Sequence, residues 1–268
     1  MMDLNRTYGV EIEFVGDRYM VLEAVRELGI ECHIEGYNHE TRNHWKIVSD
    51  SSVRANHNQN GSGWELVSPI LKGRDGLEQI KKVCKALKIA GAAVNRSCGL
   101  HVHHDAADFT TNTFKNLIRL YARFEPVIDT LVSQSRRGNN NRYCKSLAEL
   151  NIDEIMKQKD LYNITALYGN RYRKLNLQSY ITHGTVEFRQ HQGTIDADKI
   201  INWIKLTQAM VQRAVDRPVR KGTAAADWET FKDYIFRNHA PNNRQTTFSE
   251  DTKQLVKFYQ KRIKELAA

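Results

Sequence analysis

Three short stretches of the chain alternate charged and apolar residues with a period of two. The charged positions are filled by carboxylates, imidazoles and one guanidinium rather than by Lys, Thr or Ser. In VEIEF, Glu11 and Glu13 alternate with Val10, Ile12 and Phe14. In GLHVH, His101 and His103 alternate with Leu100 and Val102. In VEFRQH, Glu187, Arg189 and His191 alternate with Val186 and Phe188. Successive side chains of a strand point to opposite faces, so each stretch reads as a strand with one dry face and one face of titratable groups. Any half-solvated antiparallel strand also alternates. Like charges at i and i+2 repel, however, unless something neutralises them, and a divalent cation does so directly.

Between these strands lie helical patterns. A helix is expected near 17–28, stopping at Gly29, and another near 75–90, where Leu77, Ile80, Val83, Cys84 and Leu87 recur at helical spacing before Gly91. A long helix from about 111 to 133 carries Pro126, a source of bending. Short strands are expected at 31–36, 45–49 and 64–67, extended segments at 92–95 and 98–104, and strands again at 174–180 and 184–191. Helices follow at 197–215, 227–237 and 249–266. The polar run SRRGNNNRYCKS (135–146) predicts a mobile loop. Strand groups separated by helices argue for an α+β fold with a largely antiparallel sheet covered on one face. The division expected is a main domain over 1–220 and a helical extension over 221–268.

Two more acidic groups are candidates for the polar face. Glu65 sits between Trp64 and Leu66 and points away from the apolar side of its strand. Asp50, in SDSS, is either a ligand or a turn residue with local hydrogen bonds. A set rich in carboxylates with one or two imidazoles suits Mg²⁺ or Mn²⁺, whereas a closed zinc site calls for Cys or several His.

The formal net charge of +9 is unevenly spread. Residues 1–135, which hold most of the carboxylate motifs, are close to balance, and residues 136–175 carry nine basic groups against four acidic ones. Such an excess can attract phosphates or an acidic substrate, and equally can be a solvated face. No RNP aromatic motif or zinc-finger spacing supports a nucleic-acid partner. No apolar run reaches membrane-span length, and no signal-like h-region precedes the first strand, so a cytoplasmic protein is expected. Cys32, Cys84, Cys98 and Cys144 lie far apart, which predicts reduced thiols rather than a disulfide framework. The residues do not define an oligomeric state.

Taken in order, YGVEIEF, SDSSV…GWELVSP, CGLHVHH and RYRKLNLQSY…GTVEFRQHQGT resemble the amidoligase family. That family belongs to the glutamine-synthetase and γ-glutamylcysteine-ligase superfamily of carboxylate–amine ligases. The resemblance covers about residues 7–207. It implies a glutamine-synthetase-like curved sheet, a half-barrel with helices on its outer face. It also implies ATP and Mg²⁺ (or Mn²⁺) as cofactors and small-molecule or peptide carboxylate and amine substrates. By position, Glu11, Glu13, Asp50, Glu65, His101 and Glu187 match metal ligands. His103 and Arg173 fall where the nucleotide phosphates are held. Arg171, Arg173 and Arg189 are the implied catalytic arginines, for γ-phosphoryl transfer and for the carboxylate or acyl-phosphate. The long acidic loops with which glutamine synthetase binds ammonium have no counterpart here, so ammonia handled in the same way is not the expected amine.

The residue types suit that chemistry. A carboxylate becomes a good acyl donor only when its oxygen is made a leaving group. Moving a γ-phosphoryl group onto it spreads negative charge that cations and arginines must be placed to meet. There are two other readings: a metal-dependent hydrolase that activates water on the same Glu/His face, and a basic nucleic-acid-binding module without catalysis, whose salt-sensitive binding would survive loss of Glu11 and Glu187.

Overall fold

The computed structural model describes residues 5–219, 227–236 and 248–267. The expected domain boundary at 220/221 and the last residue of the 227–237 helix lie outside them. The chain divides into two units, one of Leu4–His104 and Arg189–Ile204, the other of Met1–Asp3, Asp105–Phe188 and Lys205–Ala268.

The first unit is built on five strands: β1 (Tyr8–Gly16), β2 (Cys32–Ile34), β3 (Trp45–Ser49), β4 (Ser62–Val67) and β5 (Gly99–Asp105), whose last residue belongs to the other unit. Their order is β2-β3-β4-β1-β5, and every neighbouring pair is antiparallel except β2–β3. The alternation read in the sequence is real: Val10, Ile12, Phe14, Leu100 and Val102 are all buried.

Among the described residues, two helices lie wholly in this unit. In α1 (Arg18–Glu27) the Asp17 carboxylate caps the start, accepting from the Tyr19 N–H at 2.8 Å and the Met20 N–H at 3.4 Å. Val21, Ala24 and Val25 form its buried stripe, and Gly29 turns the chain away with φ 73°. In α2 (Gly73–Ile89), Leu77, Ile80, Val83, Cys84 and Leu87 are buried at the expected spacing. The segment 92–95 contributes a single bridge, Ala93 to Val15, rather than a strand.

The other unit holds α3 (Thr111–Asp129), opened by reciprocal capping between Thr110 and Thr113. Its buried residues include Phe114, Leu117, Tyr121, Phe124 and Ile128. Pro126 lies inside this helix, which ends four residues before the position expected. Three short helices follow that the sequence reading did not anticipate: α4 (Ile152–Lys157), α5 (Leu161–Tyr168) and α6 (Ser179–His183). The strand expected over 174–180 is reduced to β6 (Leu175–Asn176), because Ser179–His183 coils into α6 and its Ser179 hydroxyl donates to the Asn176 and Thr185 carbonyls. β6 pairs antiparallel with β7 (Thr185–Gln192) through Leu175↔Phe188 and Asn176↔Glu187. α7 (Ala197–Asp216), α8 (Trp228–Phe236) and α9 (Glu250–Ala267) complete the chain, and the unit boundary falls within both β7 and α7. Trp228 packs its ring against Phe231 of α8 and Tyr259 of α9.

The segment 135–146 is tethered rather than free. The Gly138 N–H donates to Asp129 at 2.9 Å, the Ser146 N–H to Asn139 at 2.7 Å, and Arg137 Nη2 to the Leu266 carbonyl at 3.1 Å. Its Asn residues bond the backbone in place of a regular ladder. Beneath it Lys174, fully buried, is clasped by Glu125 at 2.8 Å and Asp129 at 2.6 Å.

All four cysteines are buried free thiols. Among the described residues, no helix is long and apolar enough to cross a membrane. The architecture is α+β with mainly antiparallel pairing, as the strand and helix patterns lead one to expect.

Candidate functional site

The register of the first unit decides which polar residues meet. Directly opposed residues in an antiparallel pair share a face. β1 pairs Glu13 with Glu65 of β4, and Glu11 with His101 of β5, so four candidates from three strands fall on one face. Glu11 and His103 are partly buried on that face, while Glu13 and His101 are almost wholly enclosed.

Their contacts form a continuous network. His101 Nδ1 lies 2.8 Å from Glu11 Oε2, and its Nε2 lies 3.5 Å from Glu13 Oε1. His103 Nε2 lies 3.3 Å from Glu11 Oε1, so each oxygen of one carboxylate faces its own imidazole. Glu65 Oε1 is 4.0 Å from His101 Nδ1. The Gly99 N–H donates to Glu13 Oε2 at 2.6 Å, which anchors that carboxylate.

Two groups of possible ligand atoms lie within 4.8 Å of one another: Glu11, Glu65 and His101, and Glu13, Asp50 and Glu65. Glu65 is common to both. Asp50 belongs to the second group, and its Oδ1 accepts from the Ser52 N–H at 2.7 Å, as a turn residue does. Oxygen-rich donor sets of this kind fit a hard divalent cation, with the single imidazole of the first set tolerated best by Mn²⁺.

The electrostatics run in opposite directions across the cluster. Burial alone would raise the Glu11 carboxyl, but hydrogen bonds from His101 and His103 and their charge hold it well below the usual carboxylate range. Burial pushes the Glu65 carboxyl well above that range, and the charges of Glu11, Glu13 and Asp50 push it further. Arg189, which belongs to the same unit, opposes them.

Glu187 lies in the other unit, buried on β7, where Asn176 Nδ2 donates to its Oε2 at 2.6 Å. The two arginines of RYRKLN belong to that unit as well. Arg173 gives Nε to the Tyr168 carbonyl at 3.0 Å and Nη1 to the Ser146 carbonyl at 3.1 Å. Arg171 is exposed and lies over the Tyr172 ring, 5.3 Å from its centre.

One charged group on the polar face escaped the sequence reading. Lys46 shares a face of β3 with Val48, which stands opposite Glu65, and the charges of Glu11 and Glu65 act on it. Its Nζ is buried and donates to Asn38 Oδ1 at 2.6 Å and to the Glu40 carbonyl at 2.8 Å. The signal was present in WKIVS, where Lys46 alternates with the buried Trp45 and Ile47.

Among solved structures the chain is similar to one described as a novel glutamine synthase homolog, with 12% identity and a TM-score of 0.45. That match covers 98% of this chain and 66% of the other, so the chain spans just under two thirds of that protein's length. It is also similar to the glutamine synthetase of Plasmodium falciparum, with 10% identity, coverage of 97% and 72%, and a TM-score of 0.41. No curated protein matches it. The model of the family described as "Putative amidoligase enzyme" matches residues 4–211, most of the chain, and the chain belongs to that family.

Proposed function

We propose that the protein is an ATP-dependent carboxylate–amine ligase that works through an acyl-phosphate and releases ADP and phosphate. The observation that carries this reading is the anionic cluster on the sheet of the first unit. Glu13 and Glu65 are directly opposed, Glu11 and Asp50 lie beside them, and Glu65 resists ionisation. Buried like charges are retained at a cost unless a cation completes the site.

Glu11, Glu65 and His101 would hold one Mg²⁺ or Mn²⁺, and Glu13, Asp50 and Glu65 a second. When bound, such ions supply charge neutralisation for the β- and γ-phosphates of ATP. Glu11 would orient both imidazoles, His101 as a metal ligand and His103 as a contact to the nucleotide phosphates. Arg189, whose charge acts on Glu65, would bind the substrate carboxylate. That carboxylate attacks the γ-phosphorus, the bond to the ADP oxygen breaks, and ADP departs. The amine then attacks the acyl carbon, phosphate leaves with the electron pair, and the proton lost by the amine passes to solvent or phosphate. For Glu187, Arg171 and Arg173, which belong to the other unit, the family motif alone implies roles, as a metal contact and as phosphate contacts. The two backbone carbonyls held by Arg173 commit part of its guanidinium to structure.

The fate of ATP tests the reading. The chain is incubated with Mg²⁺-ATP, hydroxylamine and a panel of amino acids and short peptides. Hydroxylamine should intercept the activated acyl group as a hydroxamate, with ADP formed in equal amount. AMP as the product, or no nucleotide cleavage with any carboxylate, would refute it. A hydrolase using the same face would need the metal alone.

A further inference from the structure

Away from the carboxylate cluster, β2 and β3 gather a donor set of different chemistry. Glu31 and His33 are separated by one residue at the start of β2, and His44 immediately precedes β3. The parallel pairing Cys32↔Trp45 and His33↔Lys46 brings these ends together, as does the Trp45 N–H donating to the Glu31 carbonyl at 3.0 Å. One ligand atom from each of Glu31, His33 and His44 lies within 4.8 Å of the others.

We propose that Glu31, His33 and His44 form a separate metal site, for a borderline ion such as Zn²⁺, that clips the start of β2 to the start of β3. Two imidazoles and one carboxylate are the donors that Zn²⁺ favours over Mg²⁺. Atoms bound at about 2.0–2.1 Å to a tetrahedral ion stand roughly 3.3 Å apart. The existing separation of 3.1 Å between His33 Nε2 and Glu31 Oε1 needs little adjustment to meet this.

His44 Nε2 faces Glu35 Oε1 at 2.9 Å, and a proton donated there would make Nδ1 the nitrogen with a lone pair for the ion. Glu35 is held in turn by Arg42 Nε at 3.1 Å and by Asn38 Nδ2 at 2.9 Å. This is the carboxylate–histidine–metal arrangement that fixes tautomer and ring direction.

The clip has a mechanical use. Parallel strands are ordinarily joined by a crossover of about a dozen or more residues, commonly helical. Here residues 35–44 form the connection without a helix. An ion bound to residues 31, 33 and 44 ties both ends of that short loop. Three protein ligands leave a fourth position open, and Glu31 and His44 both line a cleft of about 570 Å³ through which water or a small anion could reach it.

The inference is independent of the ligase reading, and the test keeps them apart. The chelator-stripped full chain is titrated with Zn²⁺ in excess Mg²⁺, by calorimetry, and with Co²⁺ by absorption spectroscopy. One Zn²⁺ should bind per chain and survive Glu65→Gln, and Co²⁺ should show the intense bands of a four-coordinate ion. His33→Ala, His44→Ala and Glu31→Gln should each weaken binding at least tenfold, and Glu35→Gln by about 10–100-fold. Glu31 has 72% of its side chain exposed, so Glu31→Gln carries the test if a histidine variant fails to fold. Zn²⁺ affinity unchanged in Glu31→Gln and in the folded histidine variants would overturn the site. So would Zn²⁺ binding that disappears in Glu65→Gln.

Discussion

Replacing Glu65 by Gln should make the metal-free protein more stable, and the gain should grow with pH. Glu65 has ligand atoms within 4.8 Å of those of Glu11, Glu13 and Asp50. At an effective dielectric of about 20, two unit charges at that distance repel by about 3.5 kcal/mol. A folded-state carboxyl pushed above its unfolded range binds more protons in the native state than in the unfolded one. Stability then falls as pH rises above the unfolded value near 4.5, at about 1.4 kcal/mol per pH unit while Glu65 stays protonated in the fold. From pH 5 to pH 7 the wild-type curve should therefore lose up to about 2.7 kcal/mol relative to Glu65→Gln. Glu11 does not confuse the comparison: its depressed carboxyl contributes stability that is lost only as pH falls below the unfolded range. Urea denaturation in chelator at half-unit pH intervals gives both curves. Repeating it with saturating Mg²⁺ should flatten the difference, because a bound cation favours the ionised carboxylate. Parallel curves for wild type and Glu65→Gln between pH 5 and pH 7 would show that the charges do not meet as described.

Other outcomes follow from single contacts. Glu13→Gln should abolish ATP turnover while leaving the melting temperature of the metal-free chain unchanged or higher, since the Gln carbonyl still accepts from the Gly99 N–H; retained turnover with a large drop in melting temperature would make Glu13 structural. Lys174→Met should cost about 3–5 kcal/mol in urea denaturation, because it strands the Glu125 and Asp129 carboxylates, and a loss below about 1 kcal/mol would contradict the buried triad. Cys32 and Cys84, whose thiols burial pushes up to about 12, should resist iodoacetamide at pH 8 until the chain is unfolded, as followed by mass spectrometry.

Much of this molecule could be read from its residues because the informative patterns were local. A period of two placed Glu11, Glu13, His101 and His103 on one side of their strands and Val10, Ile12, Leu100 and Val102 on the other, and no distant contact reverses a pleat. Helix stripes such as Leu77–Ile80–Val83–Leu87, and stops such as Gly29 and Gly91, are likewise short-range. The short helices α4 to α6 were missed because five to eight residues give too few turns for a period, and α6 overrode the strand reading of 174–180 through hydrogen bonds of the Ser179 hydroxyl.

What the sequence by itself determined was thus the α+β class, the mainly antiparallel pairing, and which residues turn towards the polar face. Tertiary structure alone decided which of them meet. The opposition of Glu13 to Glu65 and of Glu11 to His101 depends on strand order and register, and a slip of one residue would have turned every partner to the other face. The same long-range pairing drew Lys46 into the field of the cluster and joined Glu31 and His33 to His44. It also separated the sense of the Glu11 and Glu65 shifts, because the charge around a buried carboxylate is set by neighbours distant in sequence, which no local pattern records.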